Sequence, residues 1–173
     1  MKIAILSDAH DNMANTKLAV EQVQQMGAEV LFFCGDFCAP GPAKLLCEFK
    51  GPIYGVFGNN DGDPLHIYLR MKETHDNVTL FMEGDAVFEI AGRKIALTHY
   101  PLYGEALART GDYDFVCFGH DHNPRILKFD NTVAVNPGCL NMVKPNTRES
   151  FAIYDSEAHS AILYDLNGKE LSV

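Results

Sequence analysis

At 173 residues, with 47% hydrophobic and 21% charged side chains, the chain is long enough to bury a substantial core and too apolar to be disordered. Its net charge of -9 argues against the broad basic surface that tracks long nucleic acid. No run approaches the roughly 18 apolar residues of a membrane span, and the apolar start is too short for a signal-peptide core; one cytoplasmic domain over residues 1–173 is expected.

Residues 2–6 form a continuous apolar run, the pattern of a strand buried on both faces. Asp11 and Asn12 supply caps for a helix that carries Ala19, Val23 and Met26 at helical spacing and stops at Gly27. A second strand over 29–34, a short helix within 40–50 and a third strand over 52–57 follow. This β-α-β-α-β opening predicts a largely parallel sheet with right-handed crossovers. Beyond a helix over 65–71 the pattern changes. Segments 78–82, 86–90 and 94–98, divided by turns at Glu83-Gly84-Asp85 and Ala91-Gly92-Arg93, predict antiparallel hairpins. A helix over 104–110 precedes a strand at 115–118, and 125–129, 132–136, 151–155 and 161–166 predict an antiparallel meander. Two sheets in contact, with helices outside, house this order.

The five cysteines are an odd number in a chain that needs no staples, so no disulfide framework is expected. Cys34 and Cys117 sit in apolar runs and read as buried small side chains, and Cys34-x-x-x-Cys38 lacks both zinc-ribbon spacing and a partner pair.

Chemistry enters in packets at the strand ends. Asp8-Ala9-His10, Gly35-Asp36, Gly58-Asn59-Asn60-Asp61, Thr98-His99 and Gly119-His120-Asp121-His122 each follow an apolar run. Successive strand ends can converge at one sheet edge, and a cluster of Asp, Asn and His there suits a pair of divalent cations. Taken singly, most packets have a plain reading: a turn, a helix cap or a satisfied surface histidine. Two histidines two apart at the exit of a buried strand are harder to explain as decoration.

The order of the packets, Asp-x-His, Gly-Asp, Gly-Asn, His and Gly-His-x-His, resembles the calcineurin-like metallophosphoesterase superfamily over residues 3 to about 140. Size and the Asn136-Pro137-Gly138 turn are similar to its small bacterial and archaeal phosphodiesterase branch, which is related to the retromer scaffold subunit of eukaryotes. The resemblance implies a four-layer α/β/β/α sandwich of two mixed sheets flanked by helices. It implies two divalent metal ions, typically manganese, with iron, zinc, nickel or cobalt as variants. Asp8, His10 and His122 would hold the first ion, Asn59, His99 and His120 the second, and Asp36 would bridge both. A metal-bridging hydroxide would then attack phosphorus in line, with Asp36, Asn59, Asn60 and His99 closest to the chemistry.

The pattern departs from the family at one place. Asn60 stands where many members carry a histidine thought to protonate the leaving group, and an amide cannot deliver a proton near neutral pH. His66, His75 and His159 are substitutes only if a loop brings one close, and surface roles are expected for each. Asp61 reads equally as a partner that orients a ligand or as a turn residue, and Cys139 as a buried neutral thiol. Lys144 and Arg148 stand as contacts for the non-reacting part of a substrate or as solvated charges. The expected partner is a small phosphate ester, with no long nucleic acid, no membrane and a possible homo-oligomer. The competing reading is a catalytically weak or inactive protein-binding scaffold of the same fold. In that reading relatives lose metal ligands, whereas all seven candidates are present here.

Overall fold

A computed structural model describes residues 1–141 and 148–172. The first sheet is built from β1 (Lys2–Leu6), β2 (Val30–Phe33), β3 (Ile53–Val56), β4 (Val78–Phe81), β10 (Ser150–Asp155) and β11 (Ser160–Asp165), in the order β11-β10-β1-β2-β3-β4. The second contains β5 (Asp85–Ile90), β6 (Arg93–Thr98), β7 (Phe115–Cys117), β8 (Arg125–Phe129) and β9 (Thr132–Asn136), in the order β5-β6-β7-β9-β8. Among the described residues four helices complete it: α1 (Met13–Gln25), α2 (Pro40–Leu46), α3 (Pro64–Lys72) and α4 (Pro101–Thr110).

The alternation of side chains along a strand divides the core into three layers of contact. From β1, Ala4 and Leu6 join Leu31, Phe33 and Ile53 against Val20 and Val23 of α1, Leu46 of α2 and Ile67 of α3. Ile3 and Ile5 turn the other way and meet Ile95, Leu97, Phe115 and Val135 of the second sheet. Ala96, Val116, Phe118 and Ala134, on that sheet's far face, pack against Ala108 of α4. This is the expected α/β/β/α sandwich, and it explains why β1 is apolar from Ile3 to Leu6 and β2 throughout: both faces are covered.

Three sequence expectations need correction. The segment at 78–82 is no hairpin partner of β5; β4 lies parallel to β3 because α3 makes the crossover between them. The four last strands are not one meander but two hairpins in different sheets. β8 pairs with β9, whereas β10 pairs antiparallel with both β11 and β1. Five consecutive buried residues in β10, Ser150 to Tyr154, demand an interior position that the end of a meander does not offer. Finally, α4 starts at Pro101, three residues before the expected helix, because proline needs no hydrogen-bond acceptor at the first helical turn.

Between the sheets the ring of Phe115 stacks on that of Tyr154, with centroids 3.9 Å apart and both side chains fully buried. Phe115→Ala therefore removes one wall of the inter-sheet contact. Urea unfolding followed by circular dichroism is expected to show a loss of about 3–5 kcal/mol.

Candidate metal centre

The strand-end packets meet because neighbouring loops are hydrogen-bonded to one another. The Asp8 amide donates to the Gly35 carbonyl and the Ala9 amide to that of Asp36, both at 3.0 Å. Gly119 donates to the His99 carbonyl at 3.0 Å, and the His120 amide donates to Asp8 Oδ2 at 2.9 Å, which ties the second sheet's loops to the first sheet's. Backbone geometry at the packets is unusual. Asp8, His10, Asp36, His120 and His122 all have positive φ, between 41° and 72°, a conformation that costs a non-glycine residue of order 1 kcal/mol or more. Such strain persists only where surrounding contacts over-determine it.

Glycines make the convergence possible. A Cβ on Gly58 would fall 2.2 Å from Asp36 Oδ1 and 2.7 Å from His99 Cε1. One on Gly119 would fall 1.9 Å from Ser7 Oγ and 2.5 Å from Asp8 Oδ2. Gly58 and Gly119 are thus there for close approach, whereas Gly35, at φ 95°, serves both the turn and the approach.

Two groups of ligand atoms result. Asp8 Oδ1 lies 3.1 Å from His122 Nε2, which lies 3.1 Å from His10 Nε2; His10 Nε2 is 3.5 Å from Asp8 Oδ1. On the other side, His99 Nε2 lies 3.0 Å from Asn59 Oδ1 and 3.6 Å from Asp36 Oδ1. Asp36 joins the groups, because its Oδ2 is 3.5 Å from His10 Nε2. Asp8, Asp36, His99 and His122 form a buried floor, while Asn59, Asn60 and His120 stand exposed at the rim. His120 stays outside the tight cluster and places its ring 5.0 Å from that of His99.

These separations suit cations. Donor atoms 2.0–2.2 Å from one ion lie roughly 2.8–3.6 Å apart in octahedral or tetrahedral arrangements. His99 Nδ1 sits 2.7 Å from the Cys34 carbonyl, which can only accept, so Nδ1 carries the proton. In the neutral ring Nε2 then presents a lone pair to the Asn59 oxygen, an arrangement that a shared cation satisfies. Asp8 and His10 shift in opposite directions. Burial pushes the Asp8 carboxyl up, but hydrogen bonds from His10, His122 and Ser7 outweigh it and hold it well below the usual carboxylate range. The hydrogen bond to Asp8 raises His10 in turn. Among the described residues, Asp8, His10 and His122 form one group able to hold a metal, and Asp8, Asp36 and His99 another.

Around this floor lies a supporting shell only partly visible in the sequence. Asp61 accepts from the Gly58 amide at 2.7 Å, the Asp36 amide at 3.1 Å and the Cys38 amide at 2.8 Å, which makes it the orienting partner and not merely a turn residue. Burial pushes its carboxyl up, against the pull of those amides. Ser7, whose hydroxyl donates to Asp8 Oδ2 at 2.5 Å, carried no signal in the sequence. Nor did Arg125, which reaches Asp121 at 2.9 Å and Glu105 at 3.0 Å and braces the Gly119–His122 loop. Asn136 adds a bond to the Gly119 carbonyl at 3.0 Å. Asn60 does not stand free: its backbone amide donates to Asp36 Oδ1 at 2.8 Å and its side chain to Oδ2 at 2.7 Å.

The other histidines are engaged elsewhere. His75 meets the Phe49 carbonyl at 2.9 Å, His159 bonds Tyr154 and the Asn131 carbonyl, and His66 contacts Arg70. Cys139 is buried, Arg148 is exposed and Lys144 lies outside the described residues. Among the described residues no helix is long and apolar enough to cross a membrane.

A phosphodiesterase of Methanocaldococcus jannaschii is 29% identical over 140 residues, 80% of this chain and 83% of that protein. A solved archaeal phosphodiesterase superposes with a TM-score of 0.86 at 27% identity, covering 95% of this chain and 99% of the other. A Vps29 single mutant from Entamoeba histolytica shares the fold, with a TM-score of 0.71 at 16% identity over 99% of this chain and 96% of that one. The family model for the calcineurin-like phosphoesterase superfamily domain matches residues 1–159, so the chain belongs to that superfamily.

Proposed function

We propose that this protein is a metal-dependent phosphodiesterase acting on small phosphate esters. The observation that carries the reading is the Asp36 carboxylate, whose two oxygens face His99 on one side and His10 on the other. In this reading Asp8, His10 and His122 hold one ion, Asn59, His99 and His120 the other, and Asp36 serves both. Manganese leads among the candidates, and mixed nitrogen and oxygen donors also suit iron, zinc, nickel or cobalt. When bound, two such ions supply Lewis acidity toward water and toward the phosphoryl oxygens.

The chain's own residues do the positioning. His99, oriented by the Cys34 carbonyl, presents Nε2 to the centre, and Asp61 fixes the peptide that carries Asp36. Asn60 holds both oxygens of Asp36 and presents an amide at the rim, where it offers hydrogen bonds but no proton. Leaving groups that depart as stable anions are favoured accordingly. The fold shared with Vps29 supports a second reading, a scaffold without turnover. The intact set of candidate ligands around one carboxylate favours the enzyme.

A manganese-supplemented assay should show bis-p-nitrophenyl phosphate hydrolysed faster than p-nitrophenyl phosphate. Asp36→Ala and His99→Ala should each lower turnover by at least a hundredfold, and chelation followed by dialysis should abolish it reversibly. Failure of the folded protein to hydrolyse either ester with any of several metals would leave the scaffold reading standing. Asp61→Ala strands three backbone amides, so thermal melting should fall by several degrees and turnover by tenfold or more. Asn60→His should raise turnover of alkyl esters more than that of nitrophenyl esters; equal effects would show that no proton donor is missing.

A further inference from the structure

Beside the candidate centre lies a cavity of about 330 Å³, lined by Glu83, Asp85, Thr98, Tyr100, Tyr103 and Leu107 among others. Tyr100 is the wall between the two. Its ring centroid lies 5.0 Å from those of both His99 and His120, and its other neighbour is Tyr103 at 6.0 Å. Tyr103 is 59% exposed, so its ring is not consumed by the core.

Three properties select an occupant. The rings of Tyr100 and Tyr103 meet at 84°, which makes a corner and not a slot, so a flat ring cannot be sandwiched between them. A rounded, methylated cation can touch two such aromatic surfaces at once, and electron-rich rings attract it. Among the described residues the charged side chains of the lining, Glu83 and Asp85, are both acidic, and no Lys or Arg lines the cavity. An anionic arm is repelled there, and a neutral apolar arm gains nothing from the two carboxylates.

We propose that this cavity is a subsite for an ammonium-bearing ester arm, quaternary or primary, of a phosphodiester substrate. The proposal rests on the phosphodiesterase reading for its reaction, but the recognition is separable from turnover. In hydrolysis, water adds its oxygen to phosphorus, the bond to the departing alkoxide or aryloxide oxygen breaks, and the proton passes to solvent or to the leaving group.

The test compares p-nitrophenyl phosphocholine with p-nitrophenyl 3,3-dimethylbutyl phosphate, its uncharged carbon isostere with the same leaving group. With manganese present, kcat/KM should favour the choline ester by about fivefold or more. That ratio should collapse toward one in the Glu83→Gln, Asp85→Asn double variant and in Tyr103→Leu, with folding checked by circular dichroism. Binding of choline against 3,3-dimethylbutanol, followed by ligand-observed NMR with the same proteins, reads the subsite without turnover. Equal kcat/KM for the two esters in the unaltered protein, or a preference that survives both variants, would overturn the proposal. If neither these esters nor bis-p-nitrophenyl phosphate is hydrolysed, the phosphodiesterase reading falls; the subsite is then overturned unless choline binds tighter than its isostere.

Discussion

The carboxylate of Asp36 is the point on which the candidate centre turns. It is 1% exposed, it faces histidines of two separate strand ends, and it is gripped by both amide groups of Asn60. A second carboxylate, Asp8, is fully buried beside the same histidine, His10. Two acidic groups in so small a dry space are costly unless positive charge shares it. The protein supplies part of that charge through His10 and a ring of amide donors. A pair of divalent cations would supply the rest. The left-handed backbone at five candidate ligands and the close approach of Gly58 and Gly119 follow from crowding these groups around one edge.

The fold supplies the rigidity this crowding needs. Strands β1, β2 and β3 run parallel at the centre of the first sheet, and β6 and β7 run parallel in the second, so their carboxyl ends open in common directions. Contacts between the sheets, led by Ile3, Ile5, Phe115 and Tyr154, hold the two edges in register. Ligands borne on strand ends are placed more firmly than ligands on long loops. The more accommodating groups, Asn59, Asn60 and His120, stand at the rim, where a substrate must enter.

Much of this was legible in the sequence because the signals were redundant. Apolar runs marked the central strands, and the repeated placement of Asp, Asn and His after those runs pointed to one edge even where each packet alone was weak. What stayed hidden depends on tertiary choice. Val78 to Phe81 reads the same whether it pairs parallel with β3 or antiparallel with β5, and only the crossover helix decides. The placement of β10 beside β1 follows from burial on both faces, which its composition does not distinguish from a half-buried strand. Asp61 in a Gly-Asn-Asn-Asp turn looks like turn chemistry until its three amide partners are seen. Arg125 and Tyr100 matter through neighbours brought from elsewhere in the chain, a relation that spacing along the sequence does not encode.

In the proposed function Asp36 would serve two cations. Electron paramagnetic resonance of the protein titrated with manganese tests it directly, because neighbouring Mn²⁺ ions joined by a common carboxylate couple their spins. Two equivalents per chain should give a spin-coupled spectrum, and Asp36→Asn should convert it to the signal of isolated ions. A six-line mononuclear spectrum at every loading of the unaltered protein would contradict it.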